Sequence, residues 1–332
     1  MTNILAINPG HNGSIAFVQN GELKYYIEEE RFSRSKRDGN PYRAMIYILE
    51  KFSVEHLIIG GTGQEEHKLP WTGEISYGAL VRKYNPKVKI TVMWDNHHLA
   101  HAASAFYNSG YDNAAAVIVD GSGSNQKIKV SEEENFPELE GYETESIYEC
   151  SYTEGFNPIY KRYGANNTIP YVEGLYDFNN GVTAVKAYEA VSEYLGFGFI
   201  EAGKTMGLAP YGTEDENIPP LFQEDTMRGN RNLFIPHYPA GAIIDENSNK
   251  YLQRYADPKE WHNQPAKLTD AAKNIAYKIQ EETQKYVGDL IERAVDSTGQ
   301  NNIVISGGYG LNCVANYYFK DRFPELNIFV DP

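Results

Sequence analysis

Two stretches of this chain share one plan. Residues 3–30 read as an apolar strand "NILAIN", a turn "PGHNG" and then "SIAFVQNGELKYYIEEE", in which Asn20-Gly21 is a strong hairpin signal. Residues 114–134, "AAAVIVDGSGSNQKIKVSEEE", run again from an apolar strand through a glycine turn to a strand. In both, a glycine-rich turn that follows an Asn or Asp closes the apolar strand. A glycine-rich hairpin presented twice constrains the chain to two similar halves facing a shared cleft.

The intervening patterns are those of an α/β chain. Short apolar runs at 56–61 ("HLIIGG") and 89–95 ("KITVMWD") predict strands, and "HHLAHAASAFYNS" has the alanine content and spacing of a helix. Residues 182–195 and 268–297 carry the 3.6-residue apolar period of amphipathic helices. "NIVISGGYGLNCVANYYFKDRF" predicts a strand, a glycine turn and a helix, and "NIFVDP" a last strand. The stretch from about 213 to 267 shows no sustained period and reads as an irregular insertion. With no low-complexity linker, the halves are expected to divide near residues 180–200.

Charge and cysteine content exclude several classes. Lysine and arginine total 30 against 45 acidic residues, a net charge of −15, which disfavours a nucleic-acid or anionic-membrane partner. Cys150 and Cys313 are too few for a disulfide framework and have no metal-knuckle spacing. The N-terminus shows no secretory pattern, and no apolar run approaches the ~20 residues that span a bilayer. A reducing cytoplasm is the expected location.

Three of the chain's 8 histidines, His97, His98 and His101, fall within five positions. On a helix, His97 and His101 stand at i and i+4 with Cβ atoms about 5–6 Å apart, a spacing that suits one metal ion. His98 points roughly 100° away and cannot join them. Asp120, at the end of the second apolar strand, offers a third ligand. Two imidazoles and one carboxylate leave coordination positions open, as suits divalent iron. A zinc-peptidase reading fails because His98 stands where H-E-x-x-H requires glutamate. Satisfied surface or core histidines are the plain alternative.

"DNHHLAHAASAFYNSGYDNAAAVIVDGSG", "EAGKTMGLAPYG" (201–212), "SGGYGLNCVAN" (306–316) and the opening "ILAINPGHNGSIAFVQNGELKYYIEEERFSRSK" closely resemble the carbamoyltransferase family. That family includes the nodulation protein NodU and antibiotic O-carbamoyltransferases such as tobramycin carbamoyltransferase. The motifs occur in the family's order across nearly the whole chain. The resemblance implies an actin/sugar-kinase/chaperone-ATPase-like α/β fold: two similar subdomains, about 1–181 and 182–332, with mixed sheets and a cleft between them. Residues 1–332 would form the family's N-terminal domain, C-terminally incomplete.

The implied activity is ATP-linked O-carbamoyl transfer from carbamoyladenylate to a hydroxyl of a small-molecule or sugar-like acceptor. His97, His101 and Asp120 would hold iron(II), which in turn holds nucleotide phosphates. A further aspartate, in a G-D-x-G-like loop expected beyond Pro332, usually completes that site. The family's YrdC-like domain, which joins carbamoyl phosphate to ATP, has no counterpart in 1–332 and is expected as a further domain or partner. His11, between Gly10 and Gly13, matches the family histidine near the transferred carbamoyl group, and histidine, with an unperturbed pKa near ~6.5, suits acid or base work.

Other residues fill in the expected site. Gly121 and Gly123 let backbone N–H groups approach phosphate closely. Gly307, Gly308 and Asn312 of "GGYGLN", and Gly203 with Lys204 of "GKTMG", are the remaining nucleotide candidates. Tyr309 and Gly310 depart from the family's G-G-V-A-L-N. Arg31 and Lys36 are candidates for substrate contact, with ion pairing to Glu28–Glu30 as the equal alternative. Cys313 reads as a small helix-packing residue. Asn8 stands where phosphoryl-transfer relatives place aspartate, which disfavours a kinase. A tRNA threonylcarbamoyl-type transferase shares the fold and histidine pair, but the acidic charge and "MGLAPYG" speak against it. A nucleotide-binding module without catalysis would not need His11 and the three metal candidates together.

Overall fold

The structure, a computed structural model, describes residues 2–10, 12–61, 74–129, 138–164, 175–179, 183–218, 221, 235–237, 241–243 and 268–331. The chain forms two compact units, 1–100 with 124–126, and 101–123 with 127–332. This division differs from the expected one near 181. Strands on either side of that point belong to one sheet and share one core.

The first unit is built on β1 (Asn3–Asn8), β2 (Ser14–Gln19), β3 (Glu22–Glu28), β4 (His56–Ile59) and β5 (Lys89–Val92), in the order β3-β2-β1-β4-β5. β1 pairs antiparallel with β2 and parallel with β4. At the β2–β3 turn both Asn20 (φ 56°) and Gly21 (φ 84°) are left-handed, the turn that matches strand twist. Helices α1 (Glu30–Ser33), α2 (Tyr42–Leu49) and α3 (Glu74–Tyr84) complete the unit. Leu5, Ile7, Phe17, Met45, Ile48, Leu57, Tyr77 and Val81 lie in its core.

Helix α4 (His97–Ser109) carries the chain across the division. The second unit contains β6 (Asn113–Val119), β7 (Asn125–Ile128, of which 127–128 fall in this unit), β8 (Leu139–Ser151), β9 (Gly155–Gly164) and β10 (Tyr176–Asn179). Helices α5 (Ala184–Tyr194) and α6 (Ala202–Leu208) follow, then a ribbon of β11 (Ile235–His237) and β12 (Gly241–Ile243). Helix α7 (Asp270–Thr298), β13 (Asn302–Ser306), α8 (Cys313–Arg322) and β14 (Asn327–Val330) end it. The main sheet runs β10-β9-β8-β6-β13-β14, with β7 beside β8.

β6 has two successive antiparallel neighbours on one side and two parallel ones on the other, the arrangement also seen around β1. The chain is thus α/β with two mixed sheets of like plan. One detail corrects the sequence reading. The strand that answers β6 is β8, not the segment directly after the turn, because β8 takes up the turn's backbone. The Asp120 N–H donates to the Thr144 carbonyl at 2.9 Å, and the Gly123 N–H to that of Glu143 at 2.7 Å.

Helices α5 and α7 are bounded as their sequences dictate. The Thr183 hydroxyl caps α5 by accepting from the Lys186 N–H, and Thr269 caps α7 by accepting from Ala272. Gly299, at φ 67°, stops α7. The irregular insertion lies largely outside the described residues.

Candidate metal centre

Helix α4 begins with His97, and its first turn has amides that need acceptors. The His97 N–H finds one in the Ser124 hydroxyl at 3.1 Å, while Ser124 donates to the Trp94 carbonyl. Ser124 is fully buried, so this join is protected from water. His98 is also fully buried, which accounts for the histidine that helical geometry sets apart.

His97 and His101 are half-buried, as is Asp120 at the end of β6. One candidate ligand atom from each lies within 4.8 Å of the others. Two metal–ligand bonds of ~2.1 Å span at most about 4.2 Å, so small side-chain adjustments close the group around an ion. A neutral nitrogen pair and one carboxylate form a donor set that fits a divalent transition metal.

Strand β13 and its following turn brace two of the three. His101 Nδ1 lies 3.1 Å from Ser306 Oγ, and Ser306 is buried at the end of β13. Asp120 Oδ1 accepts from the Gly308 N–H at 3.0 Å. Such outer partners orient ligands. Gly307 makes the approach possible: its φ is 94°, and a Cβ there would lie 2.4 Å from the Val119 carbonyl oxygen.

The remaining candidates separate. Gly121 lies against α5, where a Cβ would come 2.9 Å from Glu189 Oε1. The Asn312 side chain is committed internally: Oδ1 accepts from the Ala315 N–H at 3.1 Å, and Nδ2 donates to Gln280 at 3.0 Å. Tyr309 is buried and donates to Thr283 at 2.9 Å, so the departure from the family pattern serves the core. Lys204, on α6 beside Gly203, is exposed and pairs with Glu201 at 3.3 Å. Cys313 is exposed, with Sγ 3.8 Å from Met206 Sδ, rather than packed away.

In the first unit, Arg31 is exposed and pairs with Glu28 at 2.8 Å and Glu30 at 3.6 Å, the ion-pair alternative of the sequence reading. Lys36 is also exposed. Glu29 is not part of that surface set. It is buried and accepts from the N–H groups of Arg43 (3.3 Å) and Ala44 (3.0 Å) at the start of α2. His11 lies outside the described residues. Its turn is held on both sides, since Gly10 and Gly13 donate to the carbonyls of Gly39 (3.0 Å) and Asp38 (2.9 Å). A Cβ on Gly13 would lie 2.6 Å from the Gly39 backbone. Ser124 and Gly39 had no signal in their local sequence, and Ser306 had only its place at a strand end before a double glycine.

These features are those of an α/β protein with a candidate site for a divalent ion. Residues 67–332 match the family described as Carbamoyltransferase N-terminus, and the chain belongs to that family. It is 26% identical over 376 residues to an uncharacterised Synechocystis protein, covering 100% of this chain and 54% of that one. It is 23% identical over 351 residues to nodulation protein NolNO of Sinorhizobium fredii, covering 97% and 44%. The chain therefore spans about half the length of the curated relatives it matches. The crystal structure of full-length HypF in its phosphate- and nucleotide-bound form aligns with TM-score 0.48 and 13% identity, over 99% of this chain and 52% of that one. No helix among the described residues is long and apolar enough to cross a membrane.

Proposed function

We propose that this chain performs the transfer step of O-carbamoylation, passing a carbamoyl group from carbamoyladenylate to a hydroxyl of a small-molecule or sugar-like acceptor. The observation that carries the reading is the His97, His101 and Asp120 group, closed to 4.8 Å in a chain of the carbamoyltransferase family. The net charge of −15 favours a small acceptor over tRNA.

His97, His101 and Asp120 would hold a divalent ion, iron(II) by donor type. When bound, the ion supplies positive charge that neutralises phosphate and polarises the anhydride. Ser306 fixes the His101 ring through Nδ1, and the Gly308 amide fixes one oxygen of Asp120. Gly121 carries no side chain beside Asp120, whereas the Gly123 N–H is already committed to the Glu143 carbonyl. The acceptor oxygen forms a bond to the carbamoyl carbon, the bond from that carbon to the phosphate oxygen breaks, and AMP departs. His11 takes the acceptor's proton.

The test supplies metal-loaded protein with preformed carbamoyladenylate and a pool of hydroxylated metabolites, followed by mass spectrometry. The expected result is AMP together with a metabolite gaining one carbamoyl group. A His11→Asn variant should lose this transfer while its melting temperature stays within a few degrees, as for a surface change. Absence of any metabolite gaining a carbamoyl group, or undiminished transfer by the variant, would count against the reading or against His11 respectively.

A further inference from the structure

Two lysine–glutamate pairs at i, i+3 spacing lie on short helices of the second unit, and they differ in their surroundings. Lys204–Glu201 is open to solvent, with Lys204 58% exposed. Lys186–Glu189 is covered, with side chains 12% and 17% exposed and Nζ 2.8 Å from Oε2. An exposed pair of this kind contributes little and needs no explanation. A covered one loses hydration on both charges, which calls for a reason.

Its position supplies the reason. A Cβ built on Gly121 would meet Glu189 Oε1 at 2.9 Å, Val185 Cγ1 at 3.2 Å and Lys186 Nζ at 3.4 Å. The ion pair therefore lies directly over the backbone of the residue that follows Asp120. Lys186 is also in the first turn of α5, three residues after the Thr183 cap, where the helix dipole disfavours a cation. A lysine there is stabilised by anions brought to it. Glu189 is one, and a phosphate at the Asp120 turn would be another.

We propose that Lys186 is a phosphate-binding residue of the Asp120–Gly121 turn, held by Glu189 until an anionic ligand arrives. This deepens the transfer reading, on which the nature of the ligand, a phosphate ester or mixed anhydride, rests. Lysine meets phosphate as a compact point charge on a flexible stem, so a short swing exchanges a carboxylate oxygen for a phosphate oxygen. Glu189 is then the resident counter-ion that phosphate displaces. The absence of a side chain at Gly121 leaves the cation close to that backbone.

The experiment uses the full chain loaded with Mn²⁺ as a redox-inert ion, with calorimetric titration of AMP, inorganic phosphate and adenosine. Lys186→Ala should weaken AMP and phosphate about tenfold or more, as expected for a lost charge-assisted contact. Adenosine binding and metal content should match the wild type, while the melting temperature falls because Glu189 is left covered without its cation. Lys186→Arg should recover most of the affinity, and Glu189→Gln should leave phosphate binding equal or tighter. Unchanged AMP and phosphate affinity in Lys186→Ala would overturn the proposal. So would parallel loss of adenosine and metal, which marks a structural lysine. Wild-type protein that binds phosphate but not AMP would sink the nucleotide reading while leaving Lys186 tested by phosphate. Binding of neither probe overturns both.

Discussion

Adjacent histidines of one helix have opposite fates here. His98 is fully buried, whereas His97 and His101 face a carboxylate from another element. What distinguishes His101 further is the Ser306 hydroxyl at its Nδ1. An imidazole held at Nδ1 presents Nε2 to an ion in a fixed plane, so losing the hydroxyl costs affinity without removing a ligand. Ser306→Ala should lower metal affinity about 10–100-fold. Ser306→Thr, which keeps the hydroxyl, should restore part of it. An anaerobic competition titration reads both, and unchanged affinity in the alanine variant would remove Ser306 from the account.

At the scale of elements, the centre depends on how strand ends meet. The turn after β13 passes so close to β6 that Gly307 has no room for a Cβ, and its φ of 94° adds strain for any other residue. Gly307→Ala should therefore destabilise the protein by more than about 2 kcal/mol in denaturant unfolding. Gly203, inside α6 with nothing within 4 Å of a built Cβ, is the contrasting case. Gly203→Ala should stabilise by about 0.5–1 kcal/mol through helix propensity. Both substitutions add one methyl group, so equal effects would contradict the packing argument.

β8 and β9 are tied beside the Asp120 turn by buried charge. Arg162 Nη1 lies 3.1 Å from Glu145 Oε2, and the Tyr286 hydroxyl donates to the same oxygen at 3.0 Å. Lys161 pairs with Glu143 next to it. On the neighbouring β10, burial raises the Asp177 carboxyl above its usual range, against the opposing pull of Arg162 and the Tyr160 hydroxyl. A raised folded-state pKa means a contribution that is present below the unfolded value of ~3.9 and lost as pH rises through the folded one. Asp177→Asn removes that loss. The melting temperature of the variant relative to wild type should thus be more favourable at pH 7 than at pH 3, and the reverse order would contradict the assignment.

For the molecule as a whole, the locally encoded parts were legible and the distant joins were not. Asn20-Gly21 marked its hairpin, and the apolar periods marked α5 and α7 to within a few residues. The spacing of His97 and His101 and the strand-end place of Asp120 suggest the three residues whose candidate ligand atoms the fold brings within 4.8 Å of one another. Ser124 and Ser306 were invisible because their hydroxyls come from 27 and 205 residues away in the chain. Glu29 was misread as a surface charge because the helix start it caps begins beyond an intervening loop. The main sheet likewise joins strands far apart in sequence, which no local pattern announces.

The proposed activity depends on His97, His101 and Asp120 forming a centre for a divalent ion. Metal analysis of anaerobically purified protein, with wild type beside a His97→Ala/His101→Ala variant, tests it most directly. The account predicts near-stoichiometric iron, or a divalent substitute, in the wild type and its loss in the variant. Equal metal content in the two proteins would contradict it.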